Sequence, residues 1–200
     1  MKILALETSA VTASVAITED EKLLGQSFQN SGLTHSVTLM PMVTQLLDNV
    51  GLTLHDIDVV AVAAGPGSFT GVRIGVAAAK GLAWPDGKPC APCSTLESMA
   101  WQCAHMEGEI CAVMDARRNQ VYAARFLAQN GTLTRLSEDA AIGLDQLAQE
   151  LEKSSNAKFL VGDGASLFYN SLKERGISAT RMPPHLVYQT AWGVARAGLE

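Results

Sequence analysis

Residues 58–71 read Asp58-Val-Val-Ala-Val-Ala-Ala64 and then Gly65-Pro-Gly-Ser-Phe-Thr-Gly71, an apolar run that empties into a glycine-rich turn. A strand that is apolar at nearly every position is covered on both faces, as a parallel strand inside an α/β sheet is. A helix from about Val72 to Trp84 follows, ended by Pro85, Gly87 and Pro89. Such a turn aims backbone N–H groups and the positive end of a helix outward, which suits an anion. It lacks the Gly-Lys-Ser/Thr of a P-loop, and its Gly-x-Gly-x-x-x-Gly spacing is one residue off the dinucleotide fingerprint. The competing reading of Gly65, Gly67 and Gly71 is mechanical: positive φ and close helix–strand packing.

Working outward, Lys2–Thr8 and Val11–Thr18 read as two strands joined by a tight turn, with a third over Lys22–Gln29. Thr34 or Ser36 can cap a helix to about Val50, with Leu39, Met40, Val43, Leu46, Leu47 and Val50 on one stripe and Gly51 as its stop. The second half repeats the order. Glu109–Asp115 and Gln120–Leu127 form a hairpin around Arg117-Arg118-Asn119, and a shift of 108 lays Asp115 on Glu7. A helix at about Gly143–Lys153, an apolar strand Lys158–Val161, the turn Gly162-Asp-Gly164 and a helix to Arg175 follow. The economical reading is α/β, with two tandem domains related by internal duplication of a unit of ~100 residues, 1–104 and 105–200. The chain stops at residues 198–200 inside what reads as a helix, so the second domain is expected to be truncated at its end.

The chain has 200 residues, with 15 Lys and Arg against 20 Asp and Glu, a net charge of −5. With no basic run it is a poor stand-alone binder of RNA or DNA, because phosphate neutralisation supplies most of that affinity. Charged residues make up 18%, below the roughly 25% of ordinary domains, and apolar residues reach 48%. A real core is available, disorder is excluded, and the low charge points to surface covered by a partner. The N-terminus lacks the apolar core of a signal peptide, and Arg73 and Lys80 break the most apolar region. A cytoplasmic protein with no membrane span is expected.

Three groups of residues could carry chemistry. Cys90-Ala-Pro-Cys93 has the spacing of half a zinc site or a redox pair, but no second Cys-x-x-Cys or His pair follows, and buried reduced thiols are the preferred reading. Glu7, Thr8 and Ser9 end the first strand where a nucleotide-binding fold places a metal-orienting carboxylate. Asp115 could complete a pair, or both acids could terminate strands in solvent. With Gly65, Gly67 and Ser68 they form a candidate vestigial nucleotide or anion site. No His-x-x-x-His exists among His35, His55, His105 and His185, so no metal site, cofactor or catalytic residue is assigned. Finally, Arg73, Val76, Ala77, Lys80 and Trp84 share one helical face, while Val72, Gly75, Ala78, Ala79 and Leu82 lie opposite. Cations avoid the core unless paired, so the first face is expected to point outward as a docking surface. The alternative is a helix buried between the sheet and a neighbouring helix.

The stretches ILALETSAVTASVAI at 3–17, THSVTLMPMVTQLL at 34–47, AVAAGPGSFTGVRIGVAAAKGLA at 61–83 and PCAPCSTLESMA at 89–100 resemble the TsaB (YeaZ) family of TsaD-related, glycoprotease-like proteins. The resemblance is specific over roughly residues 1–125 and looser beyond. It implies two tandem actin/Hsp70-like (ribonuclease H-like) domains, a heterodimer with the paralogue TsaD, the ATPase TsaE as a further partner, and a homodimer in isolation. It also implies docking through helices of the first domain and a part in transferring threonylcarbamoyl from threonylcarbamoyl-adenylate to the adenosine beside the anticodon. In TsaD a His-x-x-x-His pair holds the metal. Thr95 and Met99 stand at the matching places here, and neither suits a metal. A non-catalytic scaffold subunit is therefore expected. The alternative, a metal-dependent glycoprotease-like peptidase, needs a ligand cluster that the sequence does not offer, and nucleotide binding at Glu7–Ser9 and the Gly65 loop is expected to be weak or absent.

Overall fold

The computed structural model describes residues 1–117 and 120–199, so the turn expected at Arg118-Asn119 and the final Glu200 lie outside the described residues. The chain divides into two compact units. One comprises Met1–Ser98 with Gln189–Glu200, the other Met99–Tyr188.

The first unit is built on a five-stranded sheet. Its strands are β1 (Lys2–Glu7), β2 (Ala13–Glu19), β3 (Lys22–Gln29), β4 (Val59–Gly65) and β5 (Cys90–Ser94), in the order β3-β2-β1-β4-β5. β1–β2 and β2–β3 are antiparallel, whereas β1–β4 and β4–β5 are parallel. Parallel neighbours need a crossover, and α1 (His35–Val50) and α2 (Phe69–Ala83) supply it. Alternation along the strands sends Leu4, Leu6, Val15, Ile17, Val60 and Val62 to a core shared with both helices. Ile3, Ala5, Ala16, Ala61 and Ala63 point to the other face, where they meet Ala191, Val194 and Ala195 of α6 (Ala191–Ala197). Helices on both faces explain why β1 and β4 read as continuous apolar runs.

This arrangement corrects the expected division at 104/105. The boundary falls at Ser98, within α3 (Thr95–Trp101), and the last dozen residues return to the first unit. The physical reason is the second face of the first sheet. Without α6 its small apolar side chains would face water, and α6 is fastened there by local bonds. The Ala191 N–H donates to Ser14 Oγ at 3.1 Å, and the Cys93 thiol donates to the Val194 carbonyl at 3.5 Å. The helix ends at Ala197, with Gly198 as its cap.

The second unit carries β6 (Gly108–Asp115), β7 (Gln120–Gln129), β8 (Thr132–Arg135), β9 (Ala140–Gly143), β10 (Lys158–Val161) and β11 (Thr180–Arg181). Its sheet order is β11-β10-β6-β7-β8, with β9 pairing β7. Read from the other end, β8-β7-β6-β10-β11 repeats the first sheet: an antiparallel meander, then two parallel strands. α4 (Leu144–Glu152) and α5 (Ala165–Glu174) cover one face through Leu147, Leu151, Phe168 and Leu172. β8, β9, β11 and α3 are not among the elements expected from the sequence. β8 and β9 are four-residue strands, too short for a period of two to stand out from the loops around them.

Candidate functional site

Two places in the first unit hold the candidate site residues, and both are built on α2. The helix starts three residues before the expected Val72, because Ser68 caps it: the Gly71 N–H donates to Ser68 Oγ at 3.2 Å. Ser68 thus serves the helix itself. The same turn lies against the end of β1. Thr8 Oγ1 donates to the Gly71 carbonyl at 2.8 Å, the Ser68 N–H donates to the Ser9 carbonyl at 2.6 Å, and the Ser9 N–H donates to Glu7 Oε1 at 2.5 Å. A Cβ at Gly67 would collide with the Ser9 carbonyl oxygen, and one at Gly71 with the Thr8 carbonyl oxygen. The candidate anion-site residues Glu7, Thr8, Ser9, Gly67 and Ser68 are brought together, but they are engaged with one another. Of the two readings, the mechanical one describes Gly67 and Gly71, and Gly65 takes a φ of 122° that favours glycine.

Glu7, Thr8 and Ser9 are fully buried, so Glu7 does not terminate its strand in solvent as one alternative held. Asp115 is exposed, accepts the Arg117 N–H at 2.7 Å, and belongs to the other unit. Thr95 and Met99 are both fully buried on α3. Among the described residues no group of three or more His, Cys, Asp or Glu stands close enough to hold a metal. Cys90 and Cys93 face opposite sides of β5: Cys90 Sγ lies 3.7 Å from the Ala79 carbonyl of α2, and Cys93 is bonded to α6. Residues three apart on a strand cannot converge. Burial pushes the Cys93 thiol up to about 11 and the Cys103 thiol up to about 12.

The second place is the outer face of α2. Gly71, Gly75, Ala79 and Ala83 form its buried stripe, small residues that let the helix approach β4 closely. Arg73, Ala77, Lys80 and Trp84 are exposed as expected. Val76 is the correction: it is half-buried and packs on the core. It sits about 60° round the helix from Arg73, on the flank that turns inward. Sequence reasoning also missed Phe69, whose ring lies under the Arg73 guanidinium at 3.2 Å. Beside α2, on the same face of the sheet, α1 buries Met42 rather than Met40 and leaves Val37 and Met40 outward. The exposures are large: Trp84 85%, Phe69 73%, Val37 65%, Leu33 61% and Met40 42%. A clue was present in the spacing of Leu33, Val37, Met40 and Pro41, a second apolar stripe on a helix already assigned one.

A mixed α/β protein with two sheets of matching strand order is the class these elements define, and comparison with known proteins gives the same answer. A ROK hexokinase from Thermus thermophilus superimposes with a TM-score of 0.52 over 100% of this chain and 97% of its own, at 12% identity. That likeness shows the fold alone. Residues 28–178 match the family model described as TsaD: tRNA N6-adenosine threonylcarbamoyltransferase. The tRNA threonylcarbamoyladenosine biosynthesis protein TsaB of Bacillus subtilis is 34% identical over 174 residues, 87% of this chain and 76% of that protein. YeaZ from Pseudomonas aeruginosa superimposes with a TM-score of 0.83, 26% identity, and coverage of 98% and 90% of the two chains. The chain belongs to the TsaB (YeaZ) family, within the wider group that the TsaD model describes. No helix among the described residues is long and apolar enough to cross a membrane.

Proposed function

We propose that this chain is a non-catalytic scaffold subunit in tRNA threonylcarbamoyladenosine formation. It binds and supports TsaD, with TsaE as a further component, while TsaD transfers the threonylcarbamoyl group from threonylcarbamoyl-adenylate to the adenosine beside the anticodon. The reading rests above all on the outward apolar face of α1 and α2, with Leu33, Val37, Met40, Phe69 and Trp84 exposed. Exposed aromatic and aliphatic side chains spread along two neighbouring helices and their ends are the makings of a buried interface. Arg73 and Lys80 are its charged fringe. The naming of the family for this biosynthesis supports the pathway, and the match to the TsaD model supports a paralogous partner of the same fold. In the absence of TsaD the same face pairs two copies of this chain.

The chemistry of Thr95 and Met99 supports a non-catalytic role, since a buried threonine and a buried methionine replace the imidazoles that hold a metal in the paralogue. The matching strand orders of the two sheets support descent by internal duplication. With a net charge of −5, contact with tRNA is made through the partner.

Reconstitution tests the proposal. TsaD and TsaE are incubated with tRNA, threonine, bicarbonate, ATP and the adenylate-forming enzyme, with and without this chain. Modification is expected only when the chain is present, together with a shared elution peak for it and TsaD on a sizing column. Full-rate modification without it would overturn the scaffold role. Peptide cleavage by the chain alone would revive the peptidase reading.

A further inference from the structure

The second unit contains a groove of about 600 Å³ that no part of the proposed function uses. It lies between α5 and the strand β11 at the edge of the sheet. Ser166 and Tyr169 come from α5, Arg181 from β11, and Pro183, Pro184 and Tyr188 from the segment that follows. The walls are fixed by bonds to their backbone. The Met182 N–H donates to the Leu160 carbonyl at 2.9 Å, the Gly162 N–H donates to the Val187 carbonyl at 2.8 Å, and Gln102 Nε2 donates to the Tyr188 carbonyl at 3.2 Å.

Arg181 is the sole charged side chain lining the groove, in a chain where acids outnumber bases. It is exposed and yet held in one position from two sides. One Nη donates to Ser166 Oγ at 2.9 Å, and the guanidinium carbon lies 4.8 Å from the centre of the Tyr169 ring. Neither contact neutralises its charge, and no carboxylate pairs with it among the described residues. Fixing a long arginine costs side-chain entropy. Once fixed, its planar fork offers its remaining N–H donors to a carboxylate or phosphate without further ordering. Beside it lie an aromatic ring and a proline wall, which suit a flat or apolar body rather than a bare ion.

We propose that this groove binds a small organic anion. Arg181 holds its phosphate or carboxylate, and Tyr169, Tyr188 and the Pro183–Pro184 wall cover its apolar part. The inference is independent of the scaffold role, because the groove belongs wholly to the second unit and the docking helices to the first.

The test uses the full chain and three probes, phenyl phosphate, benzoate and inorganic phosphate, followed by calorimetry and by the side-chain NMR signals of the tyrosines and arginines. Binding of at least one aryl anion is expected, with shifts at Tyr169, Tyr188 and Arg181. Inorganic phosphate is expected to bind roughly tenfold more weakly or worse, since it cannot use the apolar wall. Whichever aryl probe binds tighter identifies the head group as phosphate or carboxylate. Arg181→Gln should weaken the tighter probe by roughly tenfold or more, while Arg181→Lys restores only part of the loss because it keeps the charge and discards the fork. Both variants should unfold at the parent temperature, as the side chain is exposed. Failure of both aryl anions to bind at 10 mM, on the order of the weakest useful affinities, would overturn the proposal. So would affinity unchanged in Arg181→Gln, or shifts confined to other parts of the chain.

Discussion

The hydroxyl of Thr8 donates to the carbonyl of Gly71 at 2.8 Å, in a contact closed to solvent, and the Thr8 carbonyl oxygen occupies the space where a side chain on Gly71 would begin. The end of the first strand and the first turn of α2 are thereby locked together through backbone, and the glycine-rich turn is the means of that approach.

Replacing Gly71 with Ala is therefore expected to destabilise the chain by about 1–3 kcal/mol, the usual cost of forcing extra volume into a packed site. Thermal unfolding should fall by several degrees. Thr8→Val, which keeps the shape and removes the hydroxyl, should cost about 1 kcal/mol. An unchanged melting temperature for Gly71→Ala would show that the strand end can move aside.

On α2, two neighbouring residues should behave differently. Ala77→Glu places a charge on the exposed face and is expected to break pairing with TsaD while leaving stability within about 0.5 kcal/mol of the parent. Val76→Arg puts a cation against the core on which Val76 packs, and should lower stability by about 1–3 kcal/mol as well. Sizing chromatography with TsaD and a thermal melt of each variant alone separate the two outcomes. Equal melting temperatures would mean that Val76 belongs to the docking face after all.

The returning helix α6 offers a third check. Val194 is fully buried against the second face of the first sheet. Val194→Asp should cost about 3 kcal/mol or more, because an unpaired carboxylate cannot be accommodated there. Hydrogen exchange should show the loss first in β1 and β4, whose Ile3, Ala5, Ala61 and Ala63 lie under the helix. Exchange that accelerates only in β10 and β11 would place α6 with the other unit.

The thiols give a pH-dependent prediction. Burial raises Cys93 to about 11 and Cys103 to about 12, so near pH 8 their thiolate fractions are about one in a thousand and one in ten thousand. Burial pushes Cys111 up as well. Thiolate is the reactive form. An aromatic disulfide reagent at pH 8 should thus modify the exposed Cys90 quickly and Cys93, Cys103 and Cys111 only after denaturant is added. Since raised values mean that the folded state holds these protons longer than the unfolded one, thiol ionisation should erode stability as pH rises above about 8.5. Rapid loss of two native thiols together would support a Cys90–Cys93 redox pair.

Several elements were legible in the residues. The strand at Lys22–Gln29 has the expected bounds, as does the strand at Lys158–Val161, because both are bracketed by clear turn or loop signals. The Gly51 stop of α1 is also where a left-handed glycine ends the helix. The outer face of α2 is legible only in part. Periodicity identifies a helical stripe but not how deeply its flank sinks, so by itself it turns Val76 outward and starts the helix after Phe69. Met40 and Met42 are equally apolar, so only the direction of approach of the sheet decides between them.

The sequence by itself determined the alternation of strand and helix, the two glycine-rich turns and the family, because each is written in residues close along the chain. Tertiary structure alone decided that residues 189–199 complete the first unit, that Glu7 to Ser9 lie buried beneath the α2 turn, and that Arg181 is poised over Tyr169. These depend on which surfaces remain uncovered after the local elements form. Burying such a surface is a contact between distant residues, and no local pattern encodes it.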